Sequence, residues 1–329
     1  MDNIMVSICC TAYNQAPYIA QTLQSFVDQV TDFPFEVLVH DDASTDGTAD
    51  IIRDFAARYP EIIKPICQTE NQYSQRISIN TVYQYPRAKG KYIAFCEGDD
   101  YWLDPHKLQK QVDYMESHPD CTLCFTNGKC EENGIVDRRV IPWTPAYRSA
   151  YKSTGDYDMG EMALLDYIPT ASLLCRTEQL KNMPVLSPAS FRGDTYIRLY
   201  LTSLGYAHLI DEDTCLYRYR VAGSVTTQWF QSNEKAAESI QRIINLLDDM
   251  DRMTEGVYAN QLAQLRLRCL FRKYMKLCDY GAARGKEFHA LFRSDGKSEY
   301  LKYLLLVYTP RLYGAMRIVS RKLRGKKGL

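Results

Sequence analysis

The chain has 329 residues, 46% of them apolar and 24% charged, with 40 basic and 40 acidic side chains. That balance excludes nucleic-acid binding by net charge, and the apolar share is enough for a full core in one large domain or a domain plus an extension. The 11 cysteines are an odd number and most lie in apolar runs (Cys9, Cys10, Cys96, Cys124, Cys175), which fits small buried hydrophobes in a reducing cytosol and argues against a disulfide scaffold.

The elements alternate in the first half. Val6–Cys10 reads as a strand, and Asn14 and Pro17 open a helix with Ile19, Leu23, Phe26 and Val30 on one face. Glu36–Val39 is the second strand, Thr48–Tyr59 the next helix, and Ile62–Cys67 the third strand. A polar loop, Gln68–Arg76, leads to a helix that Pro86 must end or kink. Lys91–Cys96 is the fourth strand, and Leu108, Val112 and Met115 mark a helix after Pro105. This series predicts an α/β fold with a mostly parallel sheet. The middle third has short strands at Cys121–Thr126, Gly134–Ile141 and Thr170–Cys175, with Tyr-rich loops between Trp143 and Tyr157 suited to an acceptor pocket. A helix over Asp194–Leu204 and strands at Tyr206–Ile210 and Thr214–Tyr219 follow, and from about Gln231 the pattern is helical.

Two strands end in acids. Phe35–His40 runs into Asp41-Asp42-Ala43-Ser44-Thr45-Asp46-Gly47-Thr48, and Tyr92–Cys96 runs into Glu97-Gly98-Asp99-Asp100-Tyr101-Trp102. Ionised carboxylates at the end of a buried strand are costly unless compensated. In open α/β sheets ligands bind beyond the carboxyl ends of the strands, so two acidic ends predict one shared site holding a divalent cation and a diphosphate. Helix caps and turns are the simpler use of the same residues.

In this order and spacing, Thr11-Ala12-Tyr13-Asn14, His40–Thr48 and Glu97–Trp102 resemble the inverting family-2 glycosyltransferases of bacterial surface-polysaccharide assembly, over roughly residues 4–225. The resemblance implies a GT-A-type fold: a Rossmann-like nucleotide-sugar-binding sheet flanked by helices, here with an all-helical C-terminal extension. It implies a transferase domain over residues 1–228, divided into a donor half (1–105) and an acceptor half (106–228), and an extension over 229–329. It places Thr11 and Tyr13 around the nucleotide base, Asp42 with Asp41 on the base, and Glu97 and Asp99 in the D-x-D motif. Asp100 shares the metal with Asp99, and the metal is Mn²⁺ or Mg²⁺. Glu97 stands where Asp is commoner. Arg76 is a candidate for the diphosphate.

The resemblance also implies a base at the start of a helix after the middle strands, where Asp194 lies, with Asp156 and Asp158 as alternatives. Tyr217-Arg218-Tyr219-Arg220 resembles the late Tyr-Arg motif, which gives Arg220 a diphosphate role assisted by Ser224. Relatives usually carry His at the position of Ala222. Trp102 and Trp143 are candidates for sugar stacking or for core anchors. His106, His118, His208 and His289 have no ligand spacing, His40 packs, and Cys121 and Cys124 lack the second pair that a zinc site wants.

The chain begins directly in a strand, so no targeting peptide is expected, and Tyr303–Tyr308 is too short to cross a bilayer. From Leu301 onward there is no acidic residue, and Lys302 to Lys327 interleave with apolar residues. Such a tail is either a membrane-surface helix or an amphipathic helix packed on protein. The expected enzyme is cytoplasmic, attached through this tail to the inner face of the membrane in the first case. The helices after Gln231 could equally form a homodimer. The donor would be a nucleotide-diphospho-sugar, UDP first, and the acceptor a glycan or lipid-linked glycan. Two alternatives are a catalytically inactive nucleotide-sugar-binding scaffold and a sugar-nucleotide pyrophosphorylase. The loop after strand one lacks the glycines that the second requires.

Overall fold

β1 (Val6–Ala12), β2 (Phe35–Asp41) and β4 (Tyr92–Phe95) are buried almost throughout, as expected for strands covered on both faces. In the computed structural model, which describes residues 4–141, 151–165, 167–190, 193–221 and 232–314, they pair in parallel with β3 (Ile63–Cys67) in the order β3-β2-β1-β4. Helices α1 (Ile19–Val27), α2 (Thr48–Arg58) and α3 (Lys107–Ser117) flank this half. In α1, Ile19, Leu23 and Phe26 are fully buried, each contributing about 1.5–3 kcal/mol on transfer from water.

The sheet continues as β9-β6-β10-β5 and becomes mixed. Here β5 is Tyr101–Trp102, β6 is Cys121–Glu132, β7 is Ile135–Arg139, β8 is Gly155–Tyr157, β9 is Leu174–Arg176 and β10 is Tyr206–Arg218. β9 is antiparallel to both β4 and β6, β10 runs parallel to β6, and β7 and β8 pair off the main path. Short helices α4 (Met159–Leu164) and α5 (Thr177–Lys181) precede α6 (Asp194–Ser203).

Three expectations change. The two predicted strands at 206–219 are one strand, because a register shift between Ile210 and Asp213 lets β10 stay paired to β6 across the polar Asp211-Glu212-Asp213. The predicted strand 170–175 begins as a 3-10 turn, Thr170–Ser172. The helix before Pro86 is a series of short turns, Tyr73–Gln75, Asn80–Gln84 and Tyr85–Arg87, with Pro86 inside the last.

The described residues fall into two compact units, one of 4–187 with 193–221 and the other of 188–190 with 232–314. The second unit is helical: α7 (Asn233–Met253), α8 (Ala259–Lys276), α9 (Lys286–Ser294) and α10 (Lys297–Tyr308). Its core gathers Phe271, Ala283, Phe288, Tyr303 and Val307, and Arg268 pairs with Asp295 at 2.6 Å. No helix among the described residues is long and apolar enough to cross a membrane. The basic tail beyond residue 314, Trp143, Ala222 and Ser224 lie outside the described residues.

Candidate active site

Both acidic loops hang from the last residues of β1. The Thr11 carbonyl accepts the Gly98 amide at 2.9 Å, and the Ala12 carbonyl accepts the Asp42 amide at 2.9 Å. The loop after β1 is fastened to the loop after β2. Asn14 takes a left-handed φ of 52°, its amide donates to Ser44 Oγ at 2.8 Å, and its Oδ1 accepts the Thr45 amide at 2.8 Å. The Gln15 amide donates to Thr48 Oγ1 and the Ala16 amide to Asp46 Oδ2. Ser44, Asp46 and Thr48 therefore hold loops together.

Asp42 is buried, and its carboxylate accepts the amides of Gln72 at 2.7 Å and Tyr73 at 3.0 Å, which fixes the loop after β3. Asp41 accepts the Ser44 amide through Oδ2, while its buried Oδ1 has no hydrogen-bond donor among the described residues. Tyr13 is half exposed at 48%, and Thr11, next to last in β1, lies beside His40 of β2. Arg76 is exposed at a left-handed φ of 63°. His40 is buried against Tyr83, with ring centroids 5.1 Å apart, and burial lowers its pKa.

The second loop concentrates charge. Thr22 Oγ1 lies 2.9 Å from the Gly98 carbonyl and 2.7 Å from that of Asp100. A Cβ on Gly98 would sit 2.4 Å from Gln15 Oε1, the movable end of a side chain, and 3.0 Å from Ala12 Cβ and Ile19 Cδ1, so a larger residue would press against β1 and α1 here. Burial raises the Glu97 pKa to about 7, helped by the charges of Asp99 and Asp194 and opposed by a hydrogen bond from Thr170. Burial also raises Asp99, against the pull of Arg218 and a hydrogen bond with Gln15. Asp100 is raised well above its ordinary value by burial and by both neighbouring acids.

Arg218, at the end of β10, is the main counter-charge, and sequence reasoning missed it. Its side chain is buried between the rings of Tyr18 and Tyr101, 4.9 and 4.8 Å away. Nη1 donates to the Asp99 carbonyl at 2.6 Å, Nη2 to Gln21 Oε1 at 2.5 Å, and its amide to Asp100 Oδ1 at 2.8 Å. Arg220, the residue singled out from sequence, pairs with Glu132 at 3.0 Å and lies over Tyr219. No sequence signal separates the two arginines; it is the pairing of the two-residue β5 with Cys215 and Leu216 that brings Arg218 to the acids.

Asp194 is the first residue of α6, and its charge is felt at Glu97. The buried Tyr167 hydroxyl is raised by burial and by Tyr217, Asp100 and Asp194, so these groups share one space. The alternative acids are engaged elsewhere. Asp158 caps α4 through the Glu161 amide at 2.7 Å, and Asp156 accepts from Tyr114 at 3.1 Å and bonds His208 Nδ1 at 2.6 Å. Trp102 is a core residue, with its indole N–H on the Ala171 carbonyl at 2.9 Å.

Asp99 and Asp100 feel the guanidinium of Arg218, which also pairs with Glu131 at 3.6 Å, and Glu97 is buried beside Asp99, so the loop carries an excess of negative charge that suits a divalent cation. No three His, Cys, Asp or Glu side chains among the described residues converge on an ion position. The residues thus fit a cation that takes its remaining ligands from an anionic partner, as Mg²⁺ does with phosphates.

Comparison with known proteins places this geometry. The model of glycosyl transferase family 2 matches residues 7–177. The UDP-Glc:alpha-D-GlcNAc-diphosphoundecaprenol beta-1,3-glucosyltransferase WfgD of Escherichia coli is 30% identical over 160 residues, 47% of this chain and 58% of that protein. Uncharacterized proteins of Mycobacterium tuberculosis and Mycobacterium bovis are 47% identical over 140 residues, and the chain spans 39% of their length. Among solved structures, S. aureus TarS 1–349 in complex with UDP-GlcNAc superposes with a TM-score of 0.60 at 18% identity, over 94% of this chain and 88% of that one. The mannosyltransferase PcManGT from Pyrobaculum calidifontis, in complex with GDP-Man and Mn²⁺, gives 0.55 at 17% identity, over 94% and 87%. These two likenesses carry the fold.

Proposed function

The chain belongs to glycosyl transferase family 2, and on that premise we propose that it moves a sugar, with inversion, from a nucleotide-diphospho-sugar to a hydroxyl of a glycan or lipid-linked glycan in bacterial polysaccharide synthesis. The observation that carries the reading is the meeting of Glu97, Asp99, Asp100 and Asp194 beyond the carboxyl end of the parallel strands.

In this reading the loops of Thr11, Tyr13, Asp41, Asp42 and Arg76 bind the nucleotide. Asp42 acts by holding the 72–73 backbone in place and Asp41 by its buried Oδ1, which has no donor among the described residues. Glu97 and Asp99 meet the ribose and the diphosphate side, and Asp99 and Asp100 hold Mn²⁺ or Mg²⁺. A bound metal supplies positive charge opposite the departing diphosphate. Asp194 accepts the proton of the acceptor hydroxyl, and that oxygen forms the new bond to the anomeric carbon. The bond to the diphosphate oxygen breaks with its electron pair, and the nucleoside diphosphate leaves. Positioned base catalysis of this kind contributes about 10²–10⁴-fold. Arg220 would reach the diphosphate after leaving Glu132. UDP is the first nucleotide to test, since UDP-GlcNAc and UDP are the ligands of the TarS complexes.

We assign residues 1–105 to the donor, 106–228 to the acceptor and 229–329 to an extension whose basic tail meets an anionic membrane surface or a second copy. Purified protein with Mg²⁺ or Mn²⁺ should hydrolyse a nucleotide sugar from a UDP-sugar panel, and Asp99→Ala should abolish this. A well-folded wild type that neither binds nor turns over any panel member would refute the assignment.

A further inference from the structure

Lys107, the first residue of α3, is fully buried. A lysine is almost never fully buried unless paired, yet no carboxylate lies within 4 Å of this one among the described residues. Its Nζ donates to Gln111 Oε1 at 2.7 Å and sits 4.4 Å from the centroid of the Trp102 ring. The titratable groups around it are Asp104, in the turn before α3, and the thiols of Cys215 on β10, Cys96 after β4 and Cys124 on β6, which burial keeps protonated and neutral. A methionine would fill the same length without the cost of burying a cation, so the amine must supply what a thioether cannot: an N–H donor and a positive charge on an indole face.

Both partners lead to the acidic loop. Gln111 Nε2 donates to the Cys124 carbonyl at 3.1 Å and the Ser172 carbonyl at 2.9 Å, and Trp102 Nε1 donates to the Ala171 carbonyl. These bonds hold the 3-10 turn Thr170–Ser172 from below, and Thr170 hydrogen-bonds Glu97. Trp102 itself closes the segment that begins at Glu97, and its amide donates to Ser25 Oγ at 3.1 Å. We propose that protonated Lys107 is a positioning residue, which pins Trp102 and Gln111 and through them sets Thr170 against Glu97. Its effect on ligand binding rests on the nucleotide-sugar reading given above.

The amine's pKa is lowered to about 8 by burial, so the clamp is tested by pH. With Trp143→Phe and Trp229→Phe leaving Trp102 as the sole indole, emission should titrate once with a midpoint near pH 8, and Lys107→Met should remove the transition. UDP binding with Mg²⁺, followed by calorimetry from pH 6.5 to 9, should weaken over the same interval in the wild type. In Lys107→Met it should be about tenfold weaker at pH 7 and independent of that transition, while the melting temperature stays equal or rises. A merely structural lysine would lower the melting temperature and leave UDP affinity alone. Emission that is flat between pH 7 and 9, or unchanged UDP affinity in Lys107→Met, overturns the proposal. The titration of the Trp143→Phe/Trp229→Phe protein leaves Lys107 and its neighbours unchanged, so it stands even if Lys107→Met fails to fold. If neither protein binds UDP or any nucleotide sugar, the transferase reading fails and the emission titration alone decides whether Lys107 grips Trp102.

Discussion

At the scale of single residues, the acidic loop trades stability for charge. The folded-state pKa of Glu97 stands near 7, above its ordinary 4.5. The folded protein therefore binds more protons than the unfolded chain between those values, and stability from this group is present at low pH and lost as pH rises through 7. Glu97→Gln should raise the melting temperature of metal-free protein at pH 8 by a few degrees and by little at pH 4.5, in calorimetry with chelator present. Asp194→Asn keeps the size and the helix start but removes the carboxylate proposed as the base. It should cut kcat by about 10²–10⁴ while leaving UDP affinity within a small factor. A fall in affinity equal to the fall in kcat would move Asp194 out of the base role. Arg218→Ala leaves Asp99 and Asp100 less compensated, and should weaken expression and thermal stability more than Arg220→Ala does, since Arg220 faces solvent beside Glu132.

At the scale of elements, β4 must lie against β1 for the acids to reach their place. Gly90 makes this possible. A Cβ there would stand 2.4 Å from the Ser7 amide nitrogen and 2.7 Å from the Val6 carbonyl carbon, both backbone atoms that cannot move aside. Gly90→Ala should cost about 3 kcal/mol or more in urea denaturation, in the range of severe overpacking. The parallel half was legible in the sequence because strands buried on both faces read as continuous apolar runs, and α1, α2 and α3 carry one apolar stripe each. The mixed half was less so. β5 has two residues and β8 three, too short for any period, and β10 hides a register shift under three acids. The carboxylates were visible as motifs, but their counter-charge was not. Arg218 and Arg220 alternate with tyrosines in the same way, and only the pairing of β10 with β5 distinguishes them. Lys107 was invisible for a related reason, since Lys-Leu at a helix start reads as an exposed cation followed by a core residue.

At the scale of the whole molecule, the cysteines behave as the composition suggested. All 11 are free thiols, and Cys278 is exposed. Native protein should release one equivalent of thiol quickly to a disulfide reagent, and Cys278→Ser should remove it. Burial pushes Cys9 up to about 12 and also raises Cys10, Cys96 and Cys175 well above the ordinary thiol value. Raised thiol pKa values add stability below pH 9 that is lost as pH climbs through the folded values, because the unfolded chain gives up those protons first. Chemical denaturation midpoints should therefore fall steadily above pH 9.

The attachment of both acid loops to neighbouring carbonyls of β1 has one more consequence. Thr11 and Ala12 are a single peptide step apart, about 3.8 Å between α-carbons, so the gap between the anchor points of the loop after β2 and the loop after β4 is set by covalent length. Side-chain drift in the surrounding core cannot widen it. Residues 71–73, which Asp42 holds, could then be varied to test the proposed nucleotide preference with the acids after β4 left in register.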